Sequence, residues 1–170
     1  MALYKTKGIV LKTKPFEEAA KLVTFFTYDH GKITAIAKGA KRPTSKFGGR
    51  LEPFTLLELS IVKGRNLDIL SQCETIDNFE ALRSDPDKIK MGLYFLRIIN
   101  KATVEGQNNP NLFKLLAVSL KKIKDNDPLE KVEKYFEVNF LRVEGLFRKD
   151  KAPDILIGEH LGEDIRLWKK

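Results

Sequence analysis

The sequence predicts an α+β protein in which a small five-stranded β-barrel, residues 1–80, precedes an all-α helical domain, residues 81–170. Two observations carry that prediction. Strand-like runs separated by glycine turns crowd into the first 80 residues, and the apolar period then switches from alternation to helical spacing after Pro86. Charge is uneven within the first of these regions. Residues 1–50 hold 11 Lys or Arg against 3 acids, residues 51–170 hold 20 against 20, and the whole net charge of +8 therefore sits in the first 50.

The strands follow in order. Lys7 to Lys14 places Ile9 and Leu11 on one face and Lys12 and Lys14 on the other, and Leu22 to Tyr28 is rich in the Val, Thr and Phe of half-buried strands. His30-Gly31 makes a turn, and Ile33 to Lys38 alternates into a third strand. Phe54 to Val62 and Leu67 to Ile76 flank Lys63-Gly64-Arg65-Asn66, which reads as a hairpin turn. Five short strands of this kind suggest a closed barrel, of which the OB-fold is the five-stranded form. Three amphipathic helices follow. Their periodic positions are Ile89, Leu93 and Leu96 with Ile99 or Asn100; Leu112, Leu115, Leu116, Leu120 and Ile123; and Leu129, Val132, Phe136, Phe140 and Val143. Asn109-Pro110 and Asp127-Pro128 place a capping side chain before a proline at the first helical position, and Gly106 and Gly145 lie where helices should stop. Asp154 to Lys170 offers a brief apolar run and a last turn or short helix.

Composition excludes several classes. With 42% hydrophobic and 32% charged residues the chain can fill a core and is not a disordered tail. No apolar run approaches the roughly 18 residues of a membrane span, and Met1 to Gly8 lacks the order of a signal peptide, so a cytoplasmic location is expected. Cys73 is the single cysteine, which rules out an intramolecular disulfide and any multi-cysteine zinc site; His30 and His160 are too isolated to form a ligand pair. No metal and no cofactor are expected. An enzyme is poorly supported as well, because the phosphate-loop, nucleophile-elbow and zinc-protease motifs are missing; Glu17-Glu18 and Asp85/Asp87 read as a strand approach and a helix start.

The segment Lys38 to Arg50, KGAKRPTSKFGGR, carries Lys38, Lys41, Arg42, Lys46 and Arg50 with no acid, and Gly39, Pro43, Gly48 and Gly49 make it a loop. Beside strand-end Lys12 and Lys14, such a loop would line a groove able to follow phosphates, with Phe47 as the candidate for stacking on bases. Of the adjacent Phe25 and Phe26, one is expected in the core and the other could serve as a second platform. Lys121, Lys122 and Lys124 end the second long helix, where cations favour the dipole.

These residues also carry a resemblance. Tyr4 to Leu11, Lys21 to Thr27, Ala35 to Arg42 (AIAKGAKR), Phe47-Gly48-Gly49 and Leu51 to Leu57 (LEPFTLL), in this order and near this spacing, resemble the N-terminal domain of the RecO recombination mediators, with a fainter likeness through Phe79 to Arg83 and Asn108 to Phe113. The resemblance implies an OB-fold that binds single- and double-stranded DNA and anneals complementary strands. It also implies work with RecR and with the acidic tail of single-stranded DNA-binding protein, helping RecA replace that protein, in a cytoplasmic, nucleoid-associated setting. The cations carried over for DNA are Lys38, Lys41, Arg42 and Lys46. An apolar groove flanked by Lys121, Lys122 and Lys124 is the candidate for the partner tail. Many members are longer and carry a four-cysteine zinc module, which this sequence does not contain. Charge alone would equally permit an RNA-binding OB module of the translation machinery.

Overall fold

A computed structural model describes residues 2–170. It resolves into two compact units, one running through Asn78 and including Thr103–Pro110, the other made of Phe79–Ala102 and Asn111–Lys170.

In the first unit, β1 (Leu3–Phe16), β2 (Ala20–Thr27), β3 (Gly31–Ala37), β4 (Leu56–Val62) and β5 (Asp68–Asp77) close into a barrel in the order β1-β2-β3-β5-β4. This is the OB-fold circuit the sequence predicts. The long β1 serves two edges, since residues 3–9 pair with β4 and residues 8–16 with β2. A bulge between Val10 and Lys12 lets it bend. The bulge also breaks the simple alternation expected of this strand: Ile9, Val10 and Leu11 are all buried, and Val10 lies in the barrel core. Closure comes from a short parallel contact, Ala35 with Asp68 and Ile36 with Ile69. Inward positions on successive strands supply Val23, Phe25, Ile33, Ala35, Leu57, Leu59, Ile61 and Leu70 to one core.

Thr103–Pro110 lengthens the sheet beyond the reach of β5. Lys32 and Glu105 form a parallel bridge, the Gly106 N–H donates to the Lys32 carbonyl at 3.0 Å, and Lys32 Nζ donates to the Thr103 carbonyl at 2.7 Å. Gly31 makes this possible: its φ is +66°, and a Cβ there would stand 2.1 Å from the Gln107 carbonyl oxygen.

The second unit contains α1 (Glu80–Arg83), α2 (Pro86–Ala102), α3 (Pro110–Lys124), α4 (Leu129–Val143), α5 (Pro153–Leu161) and a closing 3-10 turn, Ile165–Lys169. The α3 pattern is buried as its spacing predicts. On α2 the buried face runs through Tyr94, Phe95, Leu96, Ile98 and Ile99. Leu93, expected in the core, is 45% exposed, because the stripe centres on Phe95, whose ring stacks on Phe136 at 4.1 Å. Val143 likewise turns outward at the end of α4. The cap expected from Asp127 is absent: Pro128 is itself the N-cap and its carbonyl accepts from the Lys131 and Val132 N–H groups, while Asp127 pairs with Lys122 at 3.8 Å.

One polar node interrupts this apolar packing. Glu137 is buried and accepts from the Tyr94 hydroxyl at 2.5 Å. Lys169 Nζ lies 3.2 Å from Glu137, 3.1 Å from Glu133 and 3.0 Å from Asp154. Burial raises the Glu137 pKa, opposed by the Tyr94 hydrogen bond and the Lys169 charge. Burial alone would lower that of Lys169, but the Asp154 hydrogen bond and the Glu137 and Glu133 charges outweigh it and hold the ammonium above its ordinary value. Replacing Lys169 by Met leaves three carboxylates without their cation and should cost about 1–3 kcal/mol at neutral pH in urea unfolding. In the variant the Glu137 carboxyl, already raised by burial, loses an opposing charge, and its folded-state pKa lies still further above its unfolded value. The deficit from Glu137 is therefore absent below its unfolded pKa and grows as pH rises from there to its folded pKa; a deficit independent of pH between about 4 and 7 would exclude this origin.

Candidate nucleic-acid interface

The loop from Lys38 to Thr55 joins β3 to β4, which are not neighbours in the barrel, and so must cross one of its ends. It does so as a chain of tight turns. The N–H groups of Ala40, Arg42, Ser45, Gly48 and Arg50 donate to the carbonyls of Ala37, Gly39, Arg42, Ser45 and Phe47, with Gly39 and Gly48 at positive φ. The Lys41 N–H donates to the Ala19 carbonyl at 3.1 Å, which pins the loop to the turn between β1 and β2.

Between that turn and the loop lies a groove of about 910 Å³ lined by Lys38, Lys41 and Arg42 with Gly39 and Pro43 on one side and Glu17 to Ala20 on the other. All three cations are exposed. Three of the eight residues predicted for DNA thus meet around one cavity. Lys12 and Lys14 are exposed on the outer face of β1, opposite Thr24 and Leu22 of β2. Lys46 and Arg50 turn elsewhere: Lys46 Nζ donates to the Ser71 carbonyl at 2.7 Å, and the Arg50 guanidinium donates to the Lys46 carbonyl at 3.2 Å and the Cys73 carbonyl at 3.4 Å. They remain exposed but cover β5 and do not line the groove.

Phe47 is not a stacking platform. It is 1% exposed and belongs to the barrel core with Ala40 and Leu51, so the loop uses it to plug the open end of the barrel. Its apolar ring in a polar loop is explained by that anchoring. Phe25 and Phe26 are both fully buried, so neither offers the second platform expected of one of them. Tyr4 donates from its hydroxyl to Asp68 at 3.0 Å and lies against His30. Burial, reinforced by Asp68, raises its phenol pKa.

Glu17 and Glu18, read from the sequence as a bland pair, line the same groove. Nothing local signals this, because the contact depends on the Ala19 to Lys41 hydrogen bond between segments far apart in the chain. Lys121, Lys122 and Lys124 do share the last turn of α3, where each is engaged nearby: Lys121 with Asp125 at 3.2 Å, Lys122 with Asp127 and over the Tyr135 ring, Lys124 over the Phe79 ring. Cys73 is buried, and burial raises its thiol pKa. Among the described residues no group of three or more His, Cys, Asp or Glu could hold a metal ion, and no helix is long and apolar enough to cross a membrane.

Residues 1–79 match the family described as recombination protein O N terminal, and residues 83–147 that described as recombination protein O C terminal. Proteins named DNA repair protein RecO are similar over most of the chain. That of Geobacter metallireducens is 32% identical over 141 residues, covering 83% of this chain and 58% of its own length. That of Clostridium novyi is 37% identical over 146 residues, covering 85% and 57%. That of Desulforamulus reducens is 32% identical over 169 residues, covering 99% and 64%. The chain therefore spans less than two thirds of the length of these relatives.

The burial of Phe47 sets an expectation for its removal. Phe47→Ala should destabilise the barrel by about 3–5 kcal/mol in denaturant unfolding, as large-to-small substitutions of buried aromatics do. A variant of full stability with weakened nucleic-acid binding would instead return Phe47 to the surface.

Proposed function

The chain belongs to the RecO family, and on that premise we propose that it is a DNA repair and recombination mediator whose barrel binds single- and double-stranded DNA. The observation that carries this reading is the convergence of Lys38, Lys41 and Arg42 on one groove, from the acid-free segment Lys38 to Arg50, in a chain whose whole charge excess lies in residues 1–50. Phosphate neutralised by such cations releases counterions, which gives affinity for any sequence and a steep dependence on salt. The same neutralisation supports annealing, because two strands held at a basic surface repel one another less. The reading extends to help in loading RecA, together with RecR, on DNA coated by single-stranded DNA-binding protein. The acidic tail of that protein would dock on the helical unit. No catalytic step is part of this role.

The test is a salt titration of binding to fluorescent single-stranded DNA, duplex DNA and RNA of one sequence. Replacing both Lys41 and Arg42 by Ala should weaken binding to every DNA sequence alike and reduce the slope of log K against log salt by about one to two, since each phosphate contact contributes roughly 0.7 to 0.9. An unchanged slope removes the groove from the DNA path. A clear preference for RNA supports the translation-module alternative.

A further inference from the structure

The barrel closes along a seam that backbone pairing only begins. On one side β5 is paired with β4 from Ile69 to Asp77, but on the other its register with β3 stops at Ile36 with Ile69. From Leu70 to Asp77 that second edge has no strand beside it among the described residues. An open edge leaves carbonyl and N–H groups in need of partners, and it invites another chain to add a strand. Here side chains take the place of a strand. Lys46 Nζ donates to the Ser71 carbonyl at 2.7 Å, and the Arg50 guanidinium donates to the Cys73 carbonyl at 3.4 Å. Carbonyls two residues apart point to the same edge of a strand, so the two cations cap successive acceptors along it.

Both caps belong to the loop that forms the groove. Arg50 also donates to the Lys46 carbonyl at 3.2 Å, which ties the caps to each other. From there the loop leads back to the groove wall through local hydrogen bonds: the Phe47 N–H donates to Ser45 Oγ at 3.1 Å, and the Ser45 N–H to the Arg42 carbonyl at 3.0 Å. Thr13 Oγ1 fixes the far end of the stretch by donating to the Leu51 carbonyl at 2.6 Å. Lys46 Nζ stands 5.2 Å from the centre of the Phe47 ring, and Phe47 and Cys73 share the barrel core at 1% and 5% exposure. Lifting the loop at Lys46 and Arg50 would therefore uncover Cys73 and shift Arg42.

Resting on the DNA-binding reading above, we propose that Lys46 and Arg50 are positioning residues: they close the seam by capping the β5 edge, and so hold Lys38, Lys41 and Arg42 in place without contacting phosphate themselves. A cation suits this task better than a neutral donor. Its hydrogen bond to a carbonyl is about twice as strong, and a charge on an open edge deters a second strand. The acid-free segment thus divides its cations into two sets. Lys38, Lys41 and Arg42 line the groove, and Lys46 and Arg50 direct their donors to the backbone that supports it.

Cys73, the single cysteine, reports on the seam through its rate of reaction with an aromatic disulfide reagent. Burial raises its thiol pKa, and the Arg50 and Lys46 charges oppose that rise. Removing them would by itself slow the chemistry, so a faster reaction reports access. Lys46→Met/Arg50→Met, which keeps unbranched stems and removes the donors, should react about 10-fold or more faster than the unsubstituted chain, with little dependence on low urea. Lys46→Arg/Arg50→Lys, which keeps the donors, should react near the original rate. A rate unchanged by the Met pair overturns the seal, as does a rise that follows urea as steeply as global unfolding, or a swap as fast as the Met pair. In DNA titrations the Met pair should weaken single-stranded and duplex binding alike by about 5-fold, with the slope of log K against log salt unchanged, because no phosphate contact is lost. A slope reduced by about one to two makes Lys46 and Arg50 phosphate ligands and sinks the proposal. An unchanged affinity removes the positioning role. If the Met pair lacks a cooperative thermal transition, Lys46→Met alone carries the same comparisons. No DNA binding by the unsubstituted chain removes the DNA-binding reading and the positioning role together, and the thiol rates then decide the seal alone.

Discussion

The closure of the barrel is the constraint on which the rest of this surface depends. Among the described residues two register pairs, Ala35 with Asp68 and Ile36 with Ile69, join β3 to β5, and that parallel junction puts β5 between β3 and β4. The chain leaving β3 must then cross the end of the barrel to begin β4. A connection over an open end has to cover apolar side chains, and this one does so with Ala40, Phe47 and Leu51. Its cations have nowhere to go but outward. The basic loop is thus held from beneath by its own core residues and from the side by the Lys41 to Ala19 hydrogen bond, so little ordering entropy remains to be lost when an anion arrives.

Much of this was legible in the residues, and what was not has identifiable causes. Charge is visible without structure, and the excess in the first 50 residues includes the three cations that meet at the groove. Alternation is visible too, and it located all five strands to within a few residues. Phe47 misled because local punctuation says that a segment is a loop, not which of its side chains points inward; that depends on an end of the barrel that no window of sequence contains. The outward direction of Phe16 was hidden for a related reason. Its direction is set by a register across β2 and by the bulge at Val10 to Lys12, which resets the parity of β1. Leu93 fits the spacing of α2 as well as Phe95 does, and only the Phe95 to Phe136 stack decides between them. Thr103–Pro110 carries no strand signal, and its hold on β3 is tertiary: the Thr103 carbonyl that accepts from Lys32 Nζ lies 71 positions along the chain.

The acids near the groove sharpen the argument from charge. Glu17 and Glu18 line one wall, and Glu105 stands at the other end of the adjoining sheet face. A surface that was basic everywhere would hold a polyanion in many registers. Cations bounded by acids confine it, because a phosphate displaced toward either border meets repulsion, and that repulsion acts on position more than on total affinity.

The helical unit uses charge differently. Lys169 is spent on three carboxylates, and Lys121 and Lys122 already face Asp125 and Asp127 at the end of α3. An acidic segment docking there would exchange one carboxylate for another and gain little net Coulomb energy from exposed pairs. Affinity for such a partner would have to come from apolar contact, with the lysines selecting its sign and orientation. A partner tail on the helical unit would therefore not compete with DNA for Lys38, Lys41 and Arg42, the cations that line the groove of the barrel unit.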